Sequence, residues 1–289
     1  MMQIFIDVFN NREKALIIWI VIALVYMLLN KDIRKSFMLV VKAILSKKIA
    51  IALAAMLIYI SSIVFAAYKV HFWDSSLLKD TVFWIIGTAF VMFINFDKAN
   101  KDGNYFKKVL VDSLKFVILL EFIINLYVFP FFVELILIPI LFFLTAMLVI
   151  SGTKKEFYPV KKILQTLLAI FGLYLIFYAV THIFGNFKEF ATIENLKDFL
   201  LTPLLTLLFL PFIYFLALYS AYELLFVRLD LLMKHNHKRL RQFTKREIFN
   251  ACLFDLKKLN RFSANSAKQL MSIKNKMDVV RLINGERNE

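Results

Sequence analysis

The sequence has few of the residues that build enzyme sites or disulfide frameworks. It contains one cysteine, Cys252, so no disulfide can form within the chain. With four histidines beside that cysteine, no cluster has the spacing of a metal site. The motifs of phosphate-binding loops, dinucleotide folds, zinc proteases and nucleophile elbows are missing as well. We therefore expect a protein that is not an enzyme and that needs no cofactor or metal.

Glycine is also scarce, with six residues in 289, whereas phenylalanine is abundant, with 32. Hydrophobic residues make up 61% of the chain, more than the roughly 45–50% of a soluble domain. They form seven continuous runs, most of them near the length that a helix needs to cross a bilayer. The sequence therefore predicts an all-α, polytopic membrane protein with about seven transmembrane helices, at residues 15–30, 49–68, 81–96, 109–129, 131–150, 163–184 and 199–226.

Basic residues are distributed unequally between the loops. Segments 31–48, 97–108 and 151–162 hold 14 of them, and the alternate set of segments holds six. Short loops rich in lysine and arginine stay in the cytoplasm. We therefore expect an inner (plasma) membrane protein with its amino terminus outside. Residues 1–226 would form the transmembrane domain, and residues 227–289 a basic, helical cytoplasmic domain.

Segment 31–48 alternates apolar and basic residues at helical spacing. This pattern is typical of an amphipathic helix that lies on the inner membrane surface. The alternative is a helical extension of the first or second span.

The predicted spans contain several polar residues, of which Glu121, Asn125 and Glu134 are the most notable. Ionisable groups at membrane depth are costly and often functional. These residues are pore candidates, since a ring of carboxylates, one from each subunit, attracts cations. The alternative is that they form hydrogen bonds between helices and hold the bundle together.

The tail, from Val227 to Glu289, contains 15 basic and six acidic residues. Thr244 and Glu247 have the spacing of a helix capping box, and an apolar stripe follows, which predicts a folded helical module. A second helical stretch is expected over residues 265–282. The stripe consists of Ile248, Phe249, Cys252, Leu253, Leu256 and Leu259.

Three interpretations of the tail remain open. It rests on anionic lipid, it packs between subunits, or it binds an anionic ligand such as a nucleotide or oligonucleotide. In the third case, basic residues would neutralise phosphates and aromatic rings would stack on bases. The candidates are Lys238, Arg239, Arg241, Lys245, Arg246, Lys257, Lys258, Arg261, Phe243, Phe254 and Phe262.

Four short segments carry a resemblance to a bacterial family: residues 11–15, 96–102, 190–192 and 256–262. With them, the chain resembles the membrane effectors of the Hailong anti-phage defence system. The resemblance implies a homo-oligomeric channel, for instance a tetramer, whose opening arrests or kills the infected cell. It also implies control by a single-stranded oligodeoxyadenylate, made by a nucleotidyltransferase-like partner protein, which holds the channel shut. No binding residue is carried over from it.

The leading hypothesis is an oligomeric inner-membrane ion channel that is gated by an anionic cytosolic ligand. One alternative is a membrane scaffold that recruits a soluble partner through its basic tail. The other is a transporter or enzyme that acts on lipid-linked substrates.

Overall fold

In the computed structural model, the described residues are 9–112, 128–185, 192–265 and 267–287. These residues contain helices and no strand, so the predicted all-α class is confirmed. The helices, numbered in chain order, are α1 Asn11–Leu29, α2 Lys31–Ile44, α3 Lys47–Lys69, α4 Ser75–Ile94, α5 Asp97–Lys101, α6 Tyr105–Asp112, α7 Phe131–Ser151, α8 Tyr158–Gly185, α9 Ile193–Leu232, α10 Lys238–Cys252, α11 Leu256–Asn265, α12 Ala267–Ser272 and α13 Lys276–Arg287.

Five of the described helices are long and apolar enough to cross a membrane: α3, α4, α7, α8 and α9. A sixth span results if α1 and α2 count as one broken span. Several apolar, membrane-length helices are therefore confirmed, at five or six within the described residues. Most of the predicted fourth span, residues 109–129, lies outside them.

A single residue, Asn30, makes the sharp bend between α1 and α2, which meet at 106°. Its backbone N–H donates to the Tyr26 carbonyl oxygen and closes α1. Its side-chain oxygen accepts hydrogen bonds from the Asp32 and Ile33 amides, at 3.1 and 3.2 Å, and opens α2. The bend rules out α2 as a straight extension of the first span. No side chain of α2 is buried.

The chain divides into two compact units. The first contains Met1–Lys79 and Leu114–Leu201, and the second contains Asp80–Ser113 and Thr202–Glu289. In the first unit α1 packs on α7, where the indole N–H of Trp19 donates to the Leu135 carbonyl oxygen at 2.8 Å.

The second unit has a core that crosses the predicted domain boundary at residue 226. Helix α9 contributes Ala217, Leu218, Tyr222, Leu225 and Leu229, and the 97–108 segment adds Ala99, Tyr105 and Phe106. The tail module, defined here as α10 to α13, closes this core with Ile248, Cys252, Leu256, Leu259, Phe262, Leu270, Ile273 and Val279. The tail is therefore a folded module that packs on α9.

Helix α9 is one continuous helix of 40 residues, with Pro203 and Pro211 inside it. At 1.5 Å per residue it is about 60 Å long, twice the roughly 30 Å of a bilayer's hydrocarbon core. Its apolar run is long because one part has the composition of a span and the other is covered by the tail module.

The predicted capping box in the tail is wrong. Thr244 lies in the middle of α10, is fully buried, and donates its hydroxyl to the Leu240 carbonyl oxygen at 2.9 Å. A turn at Leu253, with φ of 42°, then ends α10 and separates it from α11. The apolar stripe is split by this turn, so that Phe249 and Leu253 are exposed while its other members are buried. The second helical stretch is likewise two helices, α12 and α13.

Candidate anion-binding site

The carboxylate of Glu134 is 1% exposed and is bound by Arg12. The guanidinium Nη2 lies 3.0 Å from Oε1, and Nε lies 3.2 Å from both carboxylate oxygens. The backbone N–H of Phe129 also donates to Oε1, at 3.1 Å. This is the geometry of a carboxylate that packs helices together, the alternative to the pore role. Glu121 and Asn125, the other two pore candidates, lie outside the described residues.

Several candidate ligand-binding residues are used inside the second unit. Phe262 is 3% exposed in the core, so its ring is not available to stack on a base. Lys245 forms an ion pair with Asp230, with Nζ 2.6 Å from Oδ2, and Arg241 lies 3.9 Å from the other oxygen. Phe243 is half-buried and lies beneath the ammonium group of Lys276, 5.2 Å from Nζ.

The remaining candidates do not form one cluster. Arg239 lines a groove of the tail module. Phe254 is 63% exposed and contacts Phe215 edge to face. Lys258 is half-buried. The other four are exposed and do not line that groove: Lys238, Arg246, Lys257 and Arg261.

The basic groove, as we name it, has a volume of about 900 Å³ and is open on one side. One wall is the loop that joins α9 to α10, and the other is the loop that joins α12 to α13. Its lining includes five basic or imidazole side chains and no carboxylate. The lining residues are His235, Asn236, His237, Arg239, Leu240, Ile273, Lys274, Asn275 and Lys276.

Hydrogen bonds fix the two walls relative to each other. The side-chain amide of Asn236 donates to the Ile273 carbonyl oxygen at 2.6 Å and joins the two loops directly. At the start of α13, Asp278 accepts hydrogen bonds from the Lys274 and Asn275 amides, at 2.9 and 3.1 Å. Asn275 in turn accepts from the Asp278 amide at 3.0 Å. This reciprocal cap holds the lysine-bearing loop in one conformation.

The electrostatics of the basic groove favour an anion. The hydrogen bonds from Lys274 and Asn275 lower the pKa of Asp278 below its ordinary value of 3.8, so this nearby carboxylate is charged and bound to backbone amides. Helix α10 begins at the groove, and helix amino termini carry partial positive charge, whereas the amino terminus of α13 already holds the Asp278 carboxylate. His237, the residue before α10, makes no side-chain cap. Phosphate groups are typical ligands of such an arrangement.

The tail module is attached to α9, and to the loop that follows it, at three levels. The hydroxyls of Tyr214 and Tyr222 donate to the carbonyl oxygens of Phe254 and Leu253, the latter at 2.8 Å. Further along, Arg228 donates to the Ser263 carbonyl oxygen at 3.0 Å. The third level is the bond from Asn236 to Ile273, in the basic groove itself. The groove therefore begins three residues after the last residue of α9.

No family model, curated protein or solved structure matches the chain. The site therefore rests on its own geometry.

Sequence reasoning missed four residues of the basic groove: His235, His237, Lys274 and Lys276. His235 and His237 lie in a basic run that is visible in the sequence. Nothing in that run indicates a contact with residues about 40 positions later. The spacing of Asn275 and Asp278 is a helix-start signal, and it would have located the second loop. The two loops form one site only because they are in contact in the folded chain.

Proposed function

We propose that this chain is an ion channel of the bacterial inner membrane, gated by a phosphate-bearing ligand that binds the basic groove. The observation that carries the proposal is that the groove wall at residues 235–237 begins three residues after the end of α9 at Leu232. A ligand bound to both walls acts on residues that lie a few positions after the last candidate span. Ligand binding changes gating only if the open and closed states have different affinities.

Contacts between loops support the proposed orientation, with the amino terminus outside and the tail inside. In the first unit, segments expected outside meet each other: Lys79 pairs with Glu13 at 3.2 Å, and Lys197 pairs with Asp74 at 3.5 Å. In the second unit, two segments expected inside meet, since the side-chain amide of Asn260 donates to the Asn100 carbonyl oxygen at 2.9 Å.

For the ligand we propose a single-stranded DNA oligonucleotide, in line with the resemblance to anti-phage effectors. A groove of this volume accommodates several phosphate groups or a nucleotide, and its lysine and arginine side chains suit phosphate oxygens. In this role the protein is a homo-oligomer that responds to a nucleotidyltransferase-like partner and arrests the infected cell.

The first test is ligand binding by the purified full-length protein, measured with fluorescent single-stranded DNA over a salt series. The variant is Arg239→Ala/Lys274→Ala, and the matched control is Lys257→Ala/Arg261→Ala, which removes the same charge from exposed sites outside the groove. Loss of two phosphate contacts reduces the salt slope by about 1.4 for a single strand. We expect this reduction for the groove variant and an unchanged slope for the control. Equal effects of both variants would contradict the site.

The second test is ion flux through liposomes that contain the protein. We expect potassium flux above that of empty liposomes, and a change in flux when the oligonucleotide is added on the tail side. The groove variant should need about a hundredfold more ligand for the same change, the effect of losing two charged contacts at about tenfold each. Absence of flux with and without ligand would reject the channel.

Two other functions make different predictions in the same preparation. A membrane scaffold would capture a soluble protein in fixed stoichiometry through the tail module and would pass no ions. A transporter or enzyme that acts on lipid-linked substrates would show turnover of the substrate. The basic groove is compatible with all three functions, so ion flux is the measurement that distinguishes the channel from the other two.

A further inference from the structure

A second groove, separate from the basic groove, runs along α9 beside α10. This aromatic groove has a volume of about 540 Å³. Its floor consists of three rings: Tyr222 lies 5.5 Å from Phe226 and 5.4 Å from Phe249, between ring centroids. The hydroxyl of Tyr222 is held by the Leu253 carbonyl oxygen, so this ring is fixed in the floor. None of its lining residues lines the basic groove.

The chemical character of the aromatic groove changes along its length. One end is apolar, with Phe215, Leu218 and Tyr219, and it continues the apolar surface of a helix long enough to cross a membrane. The other end is charged, with Asp230 and Lys245. The helix rises about 22 Å from Phe215 to Asp230. An amphiphilic molecule matches such a gradient, with its apolar part at the first end and its polar group at the second.

The polar end carries charges of both signs. The lining includes two carboxylates, those of Glu223 and Asp230, and the ammonium group of Lys245. That ammonium is paired with Asp230, with Nζ 2.6 Å from Oδ2, and lies over an aromatic ring, with Nζ 5.6 Å from the centroid of Phe226. Because an ammonium has three N–H donors, Lys245 can bind a phosphate beside this ion pair. The site therefore suits a headgroup that carries both a phosphate and an ammonium group. The phosphate would contact Lys245, and the ammonium group would contact a carboxylate and the face of an aromatic ring.

We infer that the aromatic groove binds a phospholipid with a zwitterionic, amine-bearing headgroup, namely phosphatidylethanolamine. Its acyl chains lie along Phe215, Leu218 and Tyr219, and its phosphate contacts Lys245. Its ammonium group contacts Glu223 and the ring of Phe249. An anionic headgroup would place its charge against two carboxylates. The apolar end of the groove continues the apolar surface of the span, so it suits acyl chains better than a soluble peptide.

The test is the lipid retained by the full-length protein, purified in mild detergent with equal amounts of phosphatidylethanolamine and phosphatidylglycerol. Retained lipid per chain is measured by mass spectrometry. Val227→Trp fills the groove from an exposed lining position. The control, Leu224→Trp, adds the same ring at an exposed position of α9 outside the lining. We expect Val227→Trp to reduce retained phosphatidylethanolamine about tenfold and the control to match the wild type.

A second variant tests the headgroup and does not depend on the first. Glu223→Gln keeps the shape of the groove but removes one carboxylate, so the preference for phosphatidylethanolamine over phosphatidylglycerol should fall about tenfold. Retention of both lipids in the supplied ratio by the wild type would overturn the inference. So would equal retention by wild type and Val227→Trp. Because the readout is bound lipid, it is independent of ion flux and of DNA binding.

Discussion

Arg12 at the start of α1 binds Glu134 in the first turn of α7 through three hydrogen bonds. The carboxylate is almost completely buried, so each charge depends on the other. We predict that Arg12→Leu lowers the free energy of unfolding by about 3 kcal/mol, because it leaves a buried carboxylate without its partner. The double variant Arg12→Leu/Glu134→Leu should recover most of this loss, since apolar pairs replace buried ion pairs at little cost. Thermal unfolding in detergent measures both. A single variant that costs under about 1 kcal/mol, as exposed ion pairs do, would instead favour the pore role of Glu134.

The tyrosine contacts between α9 and the tail module are open to a conservative test. Tyr222→Phe removes the hydroxyl that binds Leu253 and should cost about 1 kcal/mol, the usual net value of a hydrogen bond. Hydrogen exchange in residues 253–256 should become faster at the same time, because the turn loses one attachment. Tyr219→Phe is the control, since Tyr219 is exposed on the same helix. If both substitutions behave alike, this hydrogen bond does not hold the turn.

Leu253 has a positive φ of 42° and is half-exposed, so its side chain adds strain and little packing. Glycine adopts this backbone region without steric cost. We predict that Leu253→Gly stabilises the second unit by about 1 kcal/mol, the lower end of the strain stored in such conformations. Leu253→Ala keeps the strain and should not stabilise. The melting temperatures of the two variants decide the point, and a destabilised glycine variant would contradict the strained turn.

The cap formed by Asp278 gives the lysine-bearing loop a defined pH dependence. Its pKa is lowered in the folded protein, so its contribution is present above the ordinary pKa of 3.8 and is lost as pH falls through the lower folded value. Hydrogen exchange at Lys274 and Asn275, corrected for its intrinsic pH dependence, should therefore lose protection only in strongly acidic solution. Asp278→Ala should lose it at neutral pH and weaken binding in the basic groove. Asp255→Ala, which removes the Lys258 cap in α11, should leave these two amides protected.

The sequence was sufficient to predict an all-helical chain with several apolar spans, because continuous apolar runs and helix length are local properties. The tail was harder. Its apolar stripe predicts a folded module, but the break at Leu253 accompanies contacts with Tyr214 and Tyr222, about 30 to 40 residues earlier. The capping-box prediction was wrong for a similar reason. Thr244 is buried within the second unit, and α10 runs through the position where the sequence predicts a helix start.

For the candidate site, too, the sequence indicates local properties but not contacts between distant residues. Basic content places Arg239, which lines the basic groove, among the candidates, but it gives equal weight to Lys257 and Arg261, which the fold places outside the groove. Glu134 is a second example, and its pore role stays a prediction. Its position in an apolar run suggested a pore, whereas its partner Arg12 lies 122 residues away and has no sequence signal that links the two.

The only thiol in the chain, that of Cys252, lies in the core between α9 and the tail module and is 3% exposed. A thiol reagent can reach it only when the core opens, so the alkylation rate reports the population of the opened form. The protein thus has a natural probe of the contact between the tail module and α9: a single thiol that stays unreactive while this core is closed and whose alkylation can be timed without any introduced label.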